Sequence, residues 1–362
     1  MHGSNLRTDT RNYGIDLLRL VSMLYIVILH SLGKGGVVEN VIPGTPQHAA
    51  VAATRGLVMC AVNIFGMISG YVGYRDEDRA YHYENYLVMW LQVVFYGVLI
   101  TVFFELADSS LVSLRDLMVM FLPVSHTLYW YFTAYTGLFF LIPLLNAGIR
   151  GCSNSSLRVL IFMILLLFSC LGPAADLFYL ARGYSFLWLV LLYIIGAAAK
   201  KVGICERLSI PFLIGGILLC WGVSAVLGAN WFDFRFLSLH ISTELLHAYT
   251  FPTYVLCSLF HVLAFARLRF PPVAQKVIRF LAPGAFGVYL LNDHRLIMTH
   301  VLQDRFLSTC TKAPWQLMGE ILIFSATFTT AALMIDWVRR KLFAALRIPS
   351  LARRLTFLFI KK

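Results

Sequence analysis

Residues 12–33 read NYGIDLLRLVSMLYIVILHSLG. The stretch is apolar and long enough for a bilayer-spanning helix, which takes about 20 residues. It nevertheless holds Asp16, Arg19 and His30. Ionisable groups at membrane depth are costly, and they usually face a bundle interior or a watery cavity. Asp16 and Arg19 stand three apart, so on a helix they share a face and can pair. Arg19 and His30 stand eleven apart, close to three whole turns, which puts them on one face about 17 Å apart along the axis. A plainer reading also fits these residues alone: Asp16 and Arg19 as anchors snorkelling to the headgroups, and His30 as a structural histidine.

The rest of the chain extends the same theme. Of its 362 residues, 59% are hydrophobic and 13% charged, whereas a soluble domain carries about 25% charged residues. So little charge could not cover a surface against water. Ten apolar segments fall near residues 14–34, 50–73, 84–105, 126–148, 157–175, 185–201, 209–228, 248–267, 281–302 and 316–338. The expected fold is an all-α polytopic integral membrane protein of about ten transmembrane helices, with residues 1–338 as one domain. The first segment lacks a small-residue cleavage site, so it is expected to remain as a span.

The net charge of +12 is distributed by loop. One set of loops and termini gathers twenty-one lysines and arginines, including Arg7, Arg11, Arg75, Arg79, Arg150, Lys200, Lys201, Arg267 and the tail from Arg339 to Lys362. The opposite set holds six: Lys34, Arg115, Arg182, Arg235, Arg305 and Lys312. That bias predicts both termini in the cytoplasm and speaks against nucleic acid as the partner of the charge. Residues 339–362 form a basic amphipathic tail expected to lie on the anionic inner leaflet. The seven cysteines show neither metal nor disulfide spacing; Cys60, Cys170, Cys220 and Cys257, within apolar runs, read as small buried hydrophobes.

Other polar residues sit where lipid would not tolerate them. In VNIFGMISGYVGYRDEDRA (62–80), Asn63 and Ser69 interrupt an apolar run, while Gly66, Gly70 and Gly73 allow close helix approach. Arg75 and Arg79 follow, placed to hold phosphates or simply to mark the inner side. Tyr129, Trp130 and Tyr131 form an interfacial aromatic cluster or a substrate wall, with Pro143 and Asn146 further along that segment. Asn292, Asp293, His294 and Arg295 stand together in FGVYLLNDHRLIMTHVL (286–302). A consecutive polar run covers every face of a helix, so the helix is expected to break there or to line a cavity. Glu320, Glu244 and His247 are lesser candidates. No glycine-rich phosphate loop, histidine pair at metal-ligand spacing or Gly-x-Ser-x-Gly elbow occurs.

Four stretches, in order, resemble the integral-membrane acyltransferase 3 family: GIDLLRLVSMLYIVILH with its basic residue, ten residues and histidine; VNIFGMISGY; YWYFTAYTGLFFLIPLLN; and FGVYLL. Two positions depart from the family pattern. Arg75 and Arg79 have three residues between them where the family often has two, and Asn292 stands where the family often has histidine. The resemblance implies an O-acyltransferase, by default an O-acetyltransferase, of the bacterial plasma membrane. It would carry an acyl group from cytoplasmic acyl-CoA, a donor substrate rather than a bound cofactor, to a hydroxyl of a surface glycan or glycolipid.

On that reading His30 is the general base, Arg19 meets negative charge and Asp16 holds Arg19. Arg75 and Arg79 meet the CoA phosphates. Asn63 and Ser69 hydrogen-bond the thioester or oxyanion, and Tyr129, Trp130, Asn292, Asp293, His294 and Arg295 form the acceptor side. The competing class is a transporter or flippase of lipid-linked sugar, for which paired halves with matching broken helices would be the mark; no such pairing is visible. A sensor or scaffold would need an output domain.

Overall fold

The computed structural model describes residues 11–78, 80–171, 176, 178–229 and 247–360. It is 79% helical and contains no strand among those residues. Arg79 and Glu244 lie outside them.

The first helix, α1 (Tyr13–Gly33), starts where the Asn12 side chain accepts a hydrogen bond from the Ile15 amide at 3.1 Å. This satisfies one of the donors that every helix start leaves open. The chain returns through α2 (Pro46–Val58), capped by Thr45, and α3 (Ala61–Gly73), offset at Met59 and Cys60. Together Pro46–Gly73 is one apolar path of 28 residues. There follow α4 (Glu84–Ala107), α5 (Trp130–Gly151), α6 (Asn154–Ile164), α7 (Phe186–Val202) and α8 (Ile210–Gly228). The chain ends with α9 (Pro252–Ala266), α10 (Ala285–Asn292), α11 (Pro314–Ala345) and α12 (Ile348–Ile360).

Seven helices among the described residues are long and apolar enough to cross a membrane. The expectation was about ten. The shortfall lies in the expected segments at 185–201, 248–267 and 281–302, which become helices of 17, 15 and 8 residues. Large apolar side chains such as Phe103, Leu144, Phe162, Leu219 and Ile323 are exposed on the outside of the bundle. An apolar surface of that extent belongs against lipid rather than water.

Close packing in the middle depends on missing side chains. A Cβ at Gly70 of α3 would lie 1.9 Å from the Tyr193 carbonyl oxygen, and one at Gly196 of α7 would lie 2.0 Å from that of Met67. The two backbones touch, as small-residue helix seams in membranes allow.

The basic loops meet at one end of the bundle. Asn12 donates to the Ala266 carbonyl at 2.9 Å, and Arg279 to the Tyr13 hydroxyl at 2.5 Å. At the opposite end, the Asp304 amide donates to the Lys34 carbonyl at 2.9 Å. His30 lies toward this second end.

Two expectations require correction. Cys170 is exposed rather than buried, because an apolar run on a membrane helix can face lipid as well as core. Residue 339 does not begin a separate tail: α11 runs on to Ala345 and buries Arg339 against Asp336 at 2.8 Å. The Gln92 amide and the Tyr96 hydroxyl also donate to Asp336. A carboxylate at 0% exposure is tolerable only with such partners.

Candidate active site

A cavity of about 260 Å³ runs beside α1 and is lined by both Arg19 and His30. Their eleven-residue spacing on one helix makes this possible, since it returns both side chains to one face. Ser69, Trp130, Tyr135 and Tyr289 line it from α3, α5 and α10, and the rest of the wall is mostly apolar.

At one end, Asp16 is buried and accepts from Arg19 at 2.7 Å and also from Arg11. Asp16 does not reach the cavity itself. It holds the Arg19 guanidinium at the wall, leaving other N–H donors of that group free to meet an anion.

At the other end, the helical run expected over 281–302 breaks as anticipated. α10 stops at Asn292, whose Oδ1 lies 2.6 Å from His30 Nδ1. An amide oxygen only accepts, so Nδ1 carries the proton and the neutral ring keeps its lone pair on Nε2. The next residue, Asp293, places Oδ1 3.9 Å from Nε2, and the Tyr289 phenol lies beside it. The imidazole is thus fixed on one nitrogen, with the Asp293 carboxylate 3.9 Å from the other. The Asn292 Nδ2 group is buried and has no hydrogen-bond partner among the described residues.

The remaining candidates separate. Ser69 lines the cavity beside Tyr135 and donates to the Phe65 carbonyl at 2.9 Å. Trp130 lines it and stacks near Tyr249. Tyr129, the residue before it, is fully buried and donates to the Leu290 carbonyl at 2.8 Å, bracing α10 instead of facing the cavity. Asn63 is also fully buried: it accepts from Trp188 Nε1 at 2.9 Å and donates to the Tyr249 carbonyl at 2.7 Å, which uses up its amide in joining three elements. His294 turns its Nδ1 back to accept from the Leu296 amide. Arg295 grips Asp116 with two nitrogens, Nε at 2.7 Å. Arg75 sits at the basic end, near Lys200. Of the polar run 292–295, therefore, the first two residues serve the cavity and the last two hold the backbone.

Asp116 lies in the connection between α4 and α5. Burial pushes its carboxyl up, but the hydrogen bonds from Arg295 and Ser113 outweigh that and hold it below the usual carboxylate range.

Three features were not read from the sequence. Tyr289 lines the cavity beside Asp293. Asp336 anchors α11. Cys60, Cys257 and His261 bring their ligand atoms within 4.8 Å of one another in the interior, although Cys60 donates to the Leu57 carbonyl and His261 Nδ1 lies 2.8 Å from that of Cys257. Each has one partner at helical spacing, Asp293 four after Tyr289, Arg339 three after Asp336 and His261 four after Cys257, but the spacing alone does not say which such pairs the packing brings together with a third group.

No curated protein and no solved structure matches the chain. A family model described as an acyltransferase domain matches residues 12–337, a range that contains α1, the broken α10 and every wall of the cavity between them. The chain belongs to the acyltransferase 3 family and is a membrane acyltransferase.

Proposed function

We propose that the protein transfers an acyl group, by default acetyl, from cytoplasmic acyl-CoA to a hydroxyl of a cell-surface glycan or glycolipid at the His30 end. The observation that carries this reading is the state of His30: Nδ1 is bound to Asn292 while Nε2 is open toward Asp293 in a cavity that Arg19 also lines. The acceptor hydroxyl gives its proton to Nε2 as its oxygen attacks the thioester carbonyl. The C–S bond then breaks, and the CoA sulfur leaves and takes up the proton. Asp293 stabilises the imidazolium between those events. Arg19 meets negative charge on the donor side, and Arg75 with Arg79 receives the CoA phosphates at the basic end, which on this reading is cytoplasmic. Trp130 and Ser69 contribute to the wall that positions the acyl group.

The test is to incubate membranes containing the protein with acetyl-CoA labelled in the acetyl group. Label that appears on glycan supports the reading. Substrate movement that is independent of donor supports a transporter and overturns it.

A further inference from the structure

A second, smaller chamber of about 110 Å³ lies between α2, α8 and α9 on the His30 side of the molecule. Its polar wall holds the cation Arg55 with His48 from α2, Ser224 from α8, Tyr254 from α9 and His247 from the segment that leads into α9. Among the described residues no carboxylate pairs with Arg55. Its Nε and the Nδ1 of His48 are buried atoms with no hydrogen-bond partner among the described residues. The groups acting on the guanidinium charge are phenols, those of Tyr254, Tyr249 and Tyr184. A part-buried guanidinium with no counter-charge among the described residues carries a cost that an anion supplied from outside reduces. His247, outside the membrane-spanning segments, is pushed down to about 4 by burial and then by Arg55, so near neutral pH it meets a ligand as an uncharged hydrogen-bonding group.

Two observations tie this chamber to the acceptor. Tyr249, on which Arg55 acts electrostatically, is also a wall of the His30 cavity, which places the chamber and that cavity near one another. And α8 stands between the chamber and the lipid-facing surface: Leu219 and Val223 are exposed, while Ser224 is buried and lines the chamber. Resting on the acyl-transfer reading above, we infer that it is a subsite for an anionic substituent of the acceptor, recognised by Arg55 with His48 and His247. The acceptor is then an acidic glycan or glycolipid.

The experiment uses the full chain in nanodiscs of zwitterionic phosphatidylcholine and reads the thermal unfolding midpoint against three probes: methyl glucuronide, methyl glucoside and inorganic phosphate. Glucuronide is expected to raise the midpoint while glucoside does not, and phosphate marks recognition of the charge alone. R55Q is expected to weaken glucuronide binding about tenfold or more, the loss typical of a charge-assisted hydrogen bond. R55K keeps the charge and retains part of the response, and H48A weakens it without abolishing it, so a folding defect in R55Q does not decide the matter. The inference is overturned if no anion shifts the wild type, if R55Q responds as the wild type does, or if only discs containing anionic phosphatidylglycerol give a shift, which would make the chamber a lipid headgroup site. His30→Ala separates the two proposals: it should lose transfer and keep glucuronide binding. Transfer retained in that variant sinks the mechanism and leaves the binding result standing.

Discussion

At the residue scale the site comes down to the two nitrogens of one ring. Asn292 Oδ1 fixes Nδ1 of His30, and Asp293 faces Nε2, the nitrogen proposed to take the acceptor's proton. Replacing His30 with Ala should abolish label transfer from acetyl-CoA while the protein still inserts and unfolds normally; full glycan acylation in that variant would remove His30 from the mechanism. Asn292→Ala leaves the base present but unoriented. It should lower kcat about ten- to a hundredfold, the equivalent of one strong hydrogen bond of about 1.5–3 kcal/mol, with little change in KM. An unchanged kcat would show that the ring needs no anchor.

At the element scale, two contacts decide how the helices sit. Gly70 lets α3 meet the α7 backbone, and a methyl group there would collide with the Tyr193 carbonyl. Gly70→Ala should cost about 1–3 kcal/mol, the usual penalty for overpacking, seen as a lower unfolding midpoint in detergent; a wild-type midpoint would mean that α3 and α7 can separate freely. The second contact is the Arg295–Asp116 pair, which ties the α4–α5 connection to the break after α10. Because the folded Asp116 carboxyl is held below its ordinary range, its contribution is fully present above the unfolded carboxylate value of about 3.9 and is lost as pH falls below it through the folded value. Limited proteolysis of the 109–128 connection should therefore stay slow at neutral pH and accelerate below about pH 4. Asp116→Asn should cleave quickly at both. Equal rates at all pH values would show that the pair does not hold the loop.

For the whole molecule, the question is which end faces which compartment. The basic loops cluster at the Tyr13 end, and on the charge bias we propose that this end faces the cytoplasm. Cys152, just past α5, is exposed at this end, and the other exposed cysteine is Cys170. In a Cys170→Ser background, a membrane-impermeant maleimide should label Cys152 only in inside-out vesicles. Labelling of intact right-side-out vesicles would invert the topology and, with it, the side from which the donor arrives. A paired replacement of Arg75 and Arg79 should weaken acyl-CoA binding in a filter assay; unchanged affinity would leave those arginines with topology alone.

Much of this was legible along the chain. Hydropathy alone required a helical membrane protein, because 59% apolar residues in long runs have no other stable solution. The periodicity of one helix alone put Arg19 and His30 on a shared face. The run Asn292 to Arg295 announced a broken helix, since lipid leaves no room for four polar neighbours. Folding in three dimensions decided the rest. It set Asn292 and Asp293 against His30 and gave His294 and Arg295 to the backbone and loop, turned Asn63 and Tyr129 into structural ties, and left Arg55 part-buried without a carboxylate among the described residues. Those outcomes depend on contacts between residues as many as 262 apart, as for His30 and Asn292. A local pattern specifies which face a side chain takes; only packing specifies what it meets there.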